Sequence, residues 1–150
     1  MNIEQTVDSH LRSTLFAMRR MYNLLAMKNG ITQGIGYALV NISKEGVPAT
    51  KIAPLMGMTN SSLSRLLKTM EDDGLIYRKP EKEDKRVVRI FLTEKGVKLK
   101  KEIKKVVIDF NKKLFEKISQ DDFDTFVKVN DIIKKQVKED VLVFQGKKAG

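Results

Sequence analysis

The chain has 150 residues, of which 41% are hydrophobic, and this size and composition are typical of one domain with its own core. Lys and Arg number 29 against 19 Asp and Glu, and the formal net charge of +10 predicts a polyanionic partner, either a nucleic acid or a membrane surface. Without cysteine and with a single histidine, one subunit cannot form disulfides, zinc fingers, iron–sulfur clusters or a multi-histidine metal site, so we expect no metal and no cofactor.

The apolar segments indicate the compartment in which the protein acts. The N-terminus has no apolar signal region, and no apolar run approaches the ~18 residues of a membrane-spanning helix. We therefore expect a soluble intracellular protein. No internal repeat or low-complexity linker is present, so residues 1–150 are predicted to form one cooperative domain.

Helical periodicity dominates the first part of the chain. Apolar residues recur every three or four positions over residues 3–25, which predicts a long amphipathic helix that ends near Gly30. Thr32 is predicted to cap a second helix that ends before Gly46. A short third helix is expected over residues 49–56.

The fourth helix is predicted from its caps and its apolar face. Either Thr59 or Asn60 caps its start, and Gly74 ends it. The helical period places a set of apolar side chains on one face, which we expect to pack against the core. They are Leu63, Leu66, Leu67 and Met70.

A β-hairpin is predicted directly after the fourth helix. The period changes from helical to two in residues 75–79 and 86–92, which are rich in β-branched and aromatic side chains. The charged segment 80–85 lies between them and begins with proline. Two strands joined by a polar tip are therefore expected here.

Two further helices complete the chain. Thr93 is predicted to cap a fifth helix whose apolar stripe continues to Ile118. Five lysines between positions 98 and 105 are predicted to form its solvated face, with a contribution to the positive field near DNA as the alternative. Ser119 and Asp122 have the spacing of a capping box and predict the start of a sixth helix. No clear period is present in residues 141–150, which are predicted to form a tail.

The order of these elements predicts a mainly α fold with a small β-hairpin wing. A helix, a turn, a second helix and then a hairpin form a winged helix-turn-helix, predicted over residues 31–93. Residues 1–29 and 94–140 are predicted to form a helical dimerisation lobe, because their apolar stripes exceed what one small lobe can cover. The predicted dimerisation residues are Val7, Leu11, Leu114, Ile118, Phe123, Phe126, Ile133 and Val137.

The fourth helix is predicted to read double-stranded DNA. In a helix-turn-helix the second helix enters the major groove, and its outer face here carries short hydrogen-bonding side chains followed by Arg65 and Lys68. Serine and asparagine reach phosphates or base edges, and arginine can bind guanine O6 and N7. The residues predicted to contact DNA from this part of the chain are Thr59, Asn60, Ser61, Ser62, Ser64, Arg65 and Lys68.

The hairpin adds a second basic surface. Its cations are Arg78, Lys79, Lys82, Lys85, Arg86 and Arg89. We expect Arg86 to enter or border the minor groove, oriented by Asp84, with Lys82 and Lys85 on the flanking phosphates. The predicted DNA-binding residues of the hairpin are therefore Arg78, Lys82, Asp84, Lys85 and Arg86.

These residues resemble a known family. Residues 57–67, Gly-Met-Thr-Asn-Ser-Ser-Leu-Ser-Arg-Leu-Leu, and 70–76, Met-Glu-Asp-Asp-Gly-Leu-Ile, resemble the recognition-helix segment of MarR-family regulators. Residues 84–86, Asp-Lys-Arg, and 92–96, Leu-Thr-Glu-Lys-Gly, resemble that family's wing and its exit into the long dimerisation helix. The order of all six helices is similar too, so the resemblance covers nearly the whole chain.

The resemblance implies a function beyond that of a generic DNA-binding module. It implies a homodimer whose first, fifth and sixth helices intertwine, in the bacterial cytoplasm. It implies a transcription regulator that binds a pseudo-palindromic operator, usually as a repressor. In such regulators the repression is often released by a small aromatic or acidic effector.

Two other functions fit a basic helical chain. A membrane-binding module would concentrate its cations along one amphipathic helix, whereas here they lie on helix, hairpin and linker alike. A winged helix used only for protein–protein contact would lack salt-dependent binding to a duplex. No nucleophile–base pair, phosphate-binding glycine loop or metal-spaced carboxylate set is present, so an enzyme is not expected.

Overall fold

The fold is mainly helical with a small antiparallel sheet, as predicted from the sequence. A computed structural model describes residues 2–81, 84 and 87–146. The elements in these ranges are a 3-10 turn at Ile3–Gln5, α1 (Val7–Met27), α2 (Gln33–Asn41), β1 (Val47–Pro48), α3 (Ala49–Met56), α4 (Asn60–Asp72), β2 (Ile76–Pro80), β3 (Val88–Leu92), α5 (Glu94–Phe115) and α6 (Gln120–Phe144).

Side-chain caps start several of these helices. Thr32 accepts a hydrogen bond from the Ile35 N–H at 3.3 Å, which confirms the predicted start of α2. Of the two residues predicted as possible caps of α4, Thr59 is the one that caps the helix. Ser119 and Asp122 form the reciprocal capping box predicted for α6. Each such cap stabilises its helix by about 1 kcal/mol.

One end of each of three helices, α1, α5 and α6, differs from the end predicted from the apolar stripes. The backbone of Thr6 is extended and its side chain caps α1, so the residues before it form a separate 3-10 turn. The fifth helix ends at Phe115, before Ile118, where the chain turns toward the capping box of α6. The sixth helix continues to Phe144, so four residues of the predicted tail are helical, and residues 147–150 lie outside the described ranges.

The sheet has three strands rather than the predicted two. Its order is β1-β3-β2, and both pairs are antiparallel. β1 consists only of Val47 and Pro48, which lie opposite Ile90 and Arg89. A two-residue strand that includes proline has no readable period, and such a strand is tolerated at a sheet edge, where no further ladder bond is needed.

The chain divides into two compact units, the first of residues 1–107 and the second of residues 108–150. The core of the first unit lies between α2, α3, α4 and the sheet, and Leu39, Ile42, Ile52, Met70 and Ile90 are fully buried there. In the second unit, α6 has no buried residue among those described. No helix in the described ranges is both long and apolar enough to cross a bilayer.

Lys100 departs from the predicted solvated face of α5. It is half-buried, and its Nζ donates to the carbonyl oxygen of Ile42, just beyond the last turn of α2. Burial, with a smaller effect of nearby Lys104, lowers the pKa of Lys100 below its ordinary value. A cation at this position caps the negative end of the α2 dipole.

Gly36→Ala is expected to stabilise the protein. Gly36 lies inside α2, and an added Cβ would meet Ile103 at 3.6 Å and Ile31 at 3.8 Å, which is ordinary van der Waals contact. Because alanine loses less backbone entropy in a helix, the free energy of unfolding should rise by about 0.5–1 kcal/mol. Urea denaturation measures this change, and an unchanged or lower value would contradict it. Gly57→Ala is the control, expected to destabilise because Gly57 has a φ of 60°.

Candidate nucleic-acid interface

The turn between α3 and α4 sets the direction of the fourth helix. Gly57 ends α3 in the left-handed conformation, and the Met58 N–H donates to the Ala53 carbonyl at 3.0 Å. Thr59 then accepts from the Ser62 N–H at 3.2 Å and starts α4. The chain thus passes between the two helices through a three-residue turn, which is the connection found in a helix-turn-helix.

The fourth helix has one buried and one exposed face, as predicted. Leu63, Leu67 and Met70 are buried and Leu66 is half-buried. Because the apolar side belongs to the core, the polar side is left for a partner in solvent. The exposed residues among the predicted DNA contacts are Thr59, Asn60, Ser61, Ser62, Ser64, Arg65 and Lys68.

Hydroxyl groups at the start of α4 are ordered within the helix. The Thr59 Oγ1 donates to the Ser62 Oγ at 3.0 Å and lies 3.1 Å from the Ser61 Oγ. The Ser64 Oγ donates to the Asn60 carbonyl at 2.9 Å. Since all of these residues are exposed, their hydroxyls can rotate toward a phosphate or a base edge.

The two cations of this face differ in their partners. Lys68 forms an exposed ion pair with Asp72 at 3.0 Å, one turn further along α4. Such a surface pair contributes about 0–1 kcal/mol, so a phosphate can replace the carboxylate at little cost. Among the described residues the Arg65 guanidinium has no hydrogen-bonding or ionic partner. The Arg65 guanidinium is therefore available to a partner in solvent, and its contact with a base stays a prediction.

Arg78 connects α4 to the sheet. Its Nε donates to the Glu71 Oε2 at 3.1 Å, and both side chains are partly exposed. The pair links β2 to the last turn of α4. Within the described ranges, no three acidic or histidine side chains come close enough to hold a metal ion.

The tip of the wing is only partly described. Lys82, Lys85 and Arg86, all predicted to contact DNA, lie outside the described residues, so the orientation of Arg86 by Asp84 stays a prediction. Asp84 itself is exposed, and its carbonyl accepts from the Val87 N–H at 2.9 Å. This backbone hydrogen bond lies just before the start of β3.

Arg89 and Lys79, two described cations of the hairpin, each have partners within the chain. The Arg89 guanidinium donates to the Glu81 Oε1 at 2.7 Å and to the Gly46 carbonyl at 3.1 Å. The Lys79 ammonium lies over the ring of Tyr77, 5.3 Å from its centroid, in a cation–π contact. No local pattern in the sequence identifies these partners.

Thr93 caps α5, as predicted from the sequence, whereas the bonds that join this cap to the end of α4 were not predicted. Thr93 caps α5 through the Gly96 N–H at 3.1 Å, and its Oγ1 donates to the Gly74 carbonyl at 2.7 Å. The Lys95 ammonium donates to the Asp73 carbonyl, also at 2.7 Å. The end of α4 is thus held by the first turn of α5 through backbone carbonyls.

The predicted dimerisation residues are apolar groups that the single chain leaves largely uncovered. In the first unit, Val7 and Leu11 on α1 are exposed. In the second unit, Leu114, Ile118, Phe126 and Val137 are exposed, whereas Phe123 and Ile133 are half-buried. Their role in a dimer stays a prediction.

The sequence is similar both to the model of a protein family and to individual transcriptional regulators. The model of the MarR family matches residues 39–88. The organic hydroperoxide resistance transcriptional regulator of Bacillus subtilis (strain 168) is 34% identical over 101 residues, which cover 67% of this chain and 69% of that protein. The HTH-type transcriptional regulator PetP of Rhodobacter capsulatus is 40% identical over 58 residues, which cover 39% of this chain and only 35% of PetP.

Solved structures share the fold. A Listeria monocytogenes protein assigned to the MarR family, in complex with 26mer DNA, superposes with a TM-score of 0.81 at 21% identity, over 97% of this chain and 99% of that one. Staphylococcus aureus MepR, in its DNA complex, superposes with a TM-score of 0.79 at 21% identity, over 90% of this chain and 99% of MepR. With a family match over the helix-turn-helix and a relative aligned over two thirds of its length, the chain belongs to the MarR family of transcriptional regulators.

Proposed function

We propose that this chain is a sequence-specific regulator of transcription that binds double-stranded DNA as a homodimer and acts as a repressor in the bacterial cytoplasm. The observation that carries the proposal is α4, whose apolar face is buried while Asn60, Ser61 and Arg65 remain exposed beside a basic hairpin. Its relatives are transcriptional regulators, which favours a binding protein over an enzyme and over a module for protein–protein contact alone.

The contacts divide into those that read bases and those that position the protein. Arg65 is proposed to bind guanine O6 and N7 in the major groove, and Asn60 and Ser61 to reach neighbouring base edges or phosphates. Lys68, Lys82 and Lys85 are proposed to neutralise phosphates, and Arg86 to enter or border the minor groove. The net charge of +10 raises the local concentration of DNA and speeds association.

Exposed apolar side chains support the homodimer. A monomer would leave Val7 and Leu11 of α1, and Phe126 and Val137 of α6, in contact with water. Their burial against a second copy follows the usual two-fold symmetry of such assemblies. Two recognition helices related by that symmetry read two half-sites about 10 bp apart.

Relief of repression by a small aromatic or acidic effector is carried over from the family resemblance alone. The positions that would bind the effector are left unassigned.

Selection of bound DNA from a random duplex pool tests the proposed function. We expect an inverted repeat whose half-site centres lie about one helical turn apart. Affinity for that site should fall with salt, with a slope of about −0.9 for each neutralised phosphate. The absence of an enriched motif, or an affinity that does not change with salt concentration, would contradict the proposal.

Arg65→Ala is expected to weaken operator binding and to relax the preference at particular bases. If the guanidinium binds guanine with two hydrogen bonds, its loss costs about 1–3 kcal/mol of discrimination. Fluorescence anisotropy with the operator and with single-base variants measures both effects. Lys134→Ala is the control, because it removes one charge from an exposed ion pair of α6. An equal loss on all sequences would show that Arg65 contacts phosphate instead.

A further inference from the structure

Arg89 occupies the central strand of the sheet and joins its two flanks. It lies in β3, opposite Pro48 of β1 and Lys79 of β2. Its Nη2 donates to the Glu81 Oε1 at 2.7 Å, and its Nη1 donates to the Gly46 carbonyl at 3.1 Å. One side chain therefore connects the residue that follows β2 to the turn that precedes β1.

This connection is partly shielded from solvent. The side chains of Arg89 and Glu81 are 27% and 33% exposed. A charge-assisted bond in such a setting is stronger than one between fully exposed groups. The planar guanidinium presents several donors in a fixed geometry and can hold two acceptors at once, whereas a lysine ammonium is a single point charge on a flexible stem.

The acceptors at Glu81 and Gly46 belong to defined backbone features, and the Glu45 carbonyl, 3.4 Å from Nη1, precedes Gly46. Glu81 directly follows β2, and its N–H donates to the Val87 carbonyl at 2.8 Å, which closes the base of the wing loop, residues 81–87. Gly46 belongs to a turn in which its carbonyl accepts from the Ser43 Oγ at 3.1 Å. Arg89 thus fastens the base of the wing loop to a turn held by its own hydrogen bonds.

We propose that Arg89 is a positioning residue for the wing, acting through Glu81, and that it does not itself contact DNA. By fastening Glu81 to the turn at Gly46, it fixes the direction in which the wing loop leaves the sheet. A phosphate contact by Arg89 would compete with its bonds to the Glu81 Oε1 and to the carbonyls of Gly46 and, at 3.4 Å, Glu45. This inference rests on the proposed DNA-binding function and assigns to Glu81, an acidic residue, a favourable role in binding a polyanion.

The sign of the effect at Glu81 separates positioning from simple electrostatics. Removing a carboxylate from a DNA-binding surface should tighten binding if charge alone matters. If Glu81 instead positions the wing through Arg89, Glu81→Ala should weaken operator affinity by about tenfold, comparable to the loss of one good contact. Glu102→Ala, which removes an exposed carboxylate from α5, is the matched control.

Arg89→Lys provides an independent variant that keeps the positive charge. A residue that touches phosphate would tolerate this change, whereas a residue that must hold Glu81 and Gly46 together would not. We expect Arg89→Lys to weaken operator affinity about as much as Glu81→Ala. In hydroxyl-radical footprints, protection flanking the half-sites should be lost while protection within them persists.

The experiment uses the full chain and the selected operator. Anisotropy across a salt series, footprinting and thermal melting are measured for the wild type and the three variants. Weaker binding by both Glu81→Ala and Arg89→Lys, with melting near wild type, supports the proposal. Tighter or control-like binding by Glu81→Ala, wild-type binding by Arg89→Lys, or strongly lowered melting of both would overturn it. Failure of the wild type to bind any duplex would instead refute the proposed function.

Discussion

A Gly96→Ala variant is expected to melt well below the wild-type protein and to lose most of its operator binding. An added Cβ at Gly96 would lie 2.1 Å from the carbonyl oxygen of Leu75, far inside van der Waals contact. That oxygen belongs to the backbone and already accepts from the Thr93 N–H at 3.1 Å. Because no side chain can rotate to make room, the first turn of α5 must move.

The expected size follows from the cost of overpacking. Forcing extra volume into a packed site costs about 1–3 kcal/mol when side chains can adjust, and a clash with backbone lies at or above the upper end. Lost stability of this size lowers the melting temperature of a chain this long by about 6–12 °C. Circular dichroism measures the melting, and a midpoint equal to that of the wild type would contradict the prediction.

DNA binding should suffer because the same turn holds the recognition helix. Thr93 and Lys95 donate to the carbonyls of Gly74 and Asp73, at the end of α4. A shift of α5 therefore displaces these anchors together with the orientation of α4. Operator affinity measured below the melting transition tests this effect, and Gly36→Ala serves as the control with the same added methyl group.

A Phe126→Asp variant is expected to dissociate the proposed homodimer. Phe126 is 58% exposed in the single chain and lies next to Phe123, with ring centroids 6.5 Å apart. Phe123 packs edge-on against Phe115 at 5.0 Å, so Phe126 extends an aromatic cluster of the second unit. An aromatic side chain of this kind buries about 150–250 Å² when a partner covers it.

Two-fold symmetry doubles the consequence of the substitution. If Phe126 is a central interface residue, its loss costs at least about 2 kcal/mol per copy, and each dimer contains two copies. The dimer dissociation constant should then rise about a thousandfold. Sedimentation equilibrium at micromolar concentration should show a dimer for the wild type and a monomer for the variant.

A control variant separates the interface from the rest of α6. Lys138 is exposed and lies about 120° around the helix from Phe126, so Lys138→Ala should leave the dimer intact. A monomeric wild type would refute the homodimer, and an unchanged dimer in Phe126→Asp would remove Phe126 from its interface.

Much of the architecture could be predicted because its causes are local. Thr32 caps a backbone N–H three residues ahead, and Ser119 and Asp122 cap each other over the same distance. The buried and exposed faces of α4 follow from a period of 3.6 residues, and the hairpin follows from a change to a period of two. Such interactions lie within one turn or one strand, so they can be predicted from the order of the residues.

Other features depend on residues that only the folded chain brings together. β1 becomes a strand because Val47 and Pro48 meet β3, and two residues cannot show a period by themselves. The tail prediction was too long because the apolar residues at the end of α6 do not repeat regularly, yet the backbone bonds of the helix continue.

The amino-acid order alone determined that this protein is a basic, winged helix-turn-helix chain whose fourth helix presents a polar face. Only the tertiary structure decided which of the described cations have partners within the chain. Arg65 and Arg89 are chemically equivalent in the sequence, but the acceptor of Arg89 at Gly46 lies 43 residues away along the chain. A hydrogen bond depends on distance in space, and spacing along the chain does not report that distance once the separation exceeds a few helical turns.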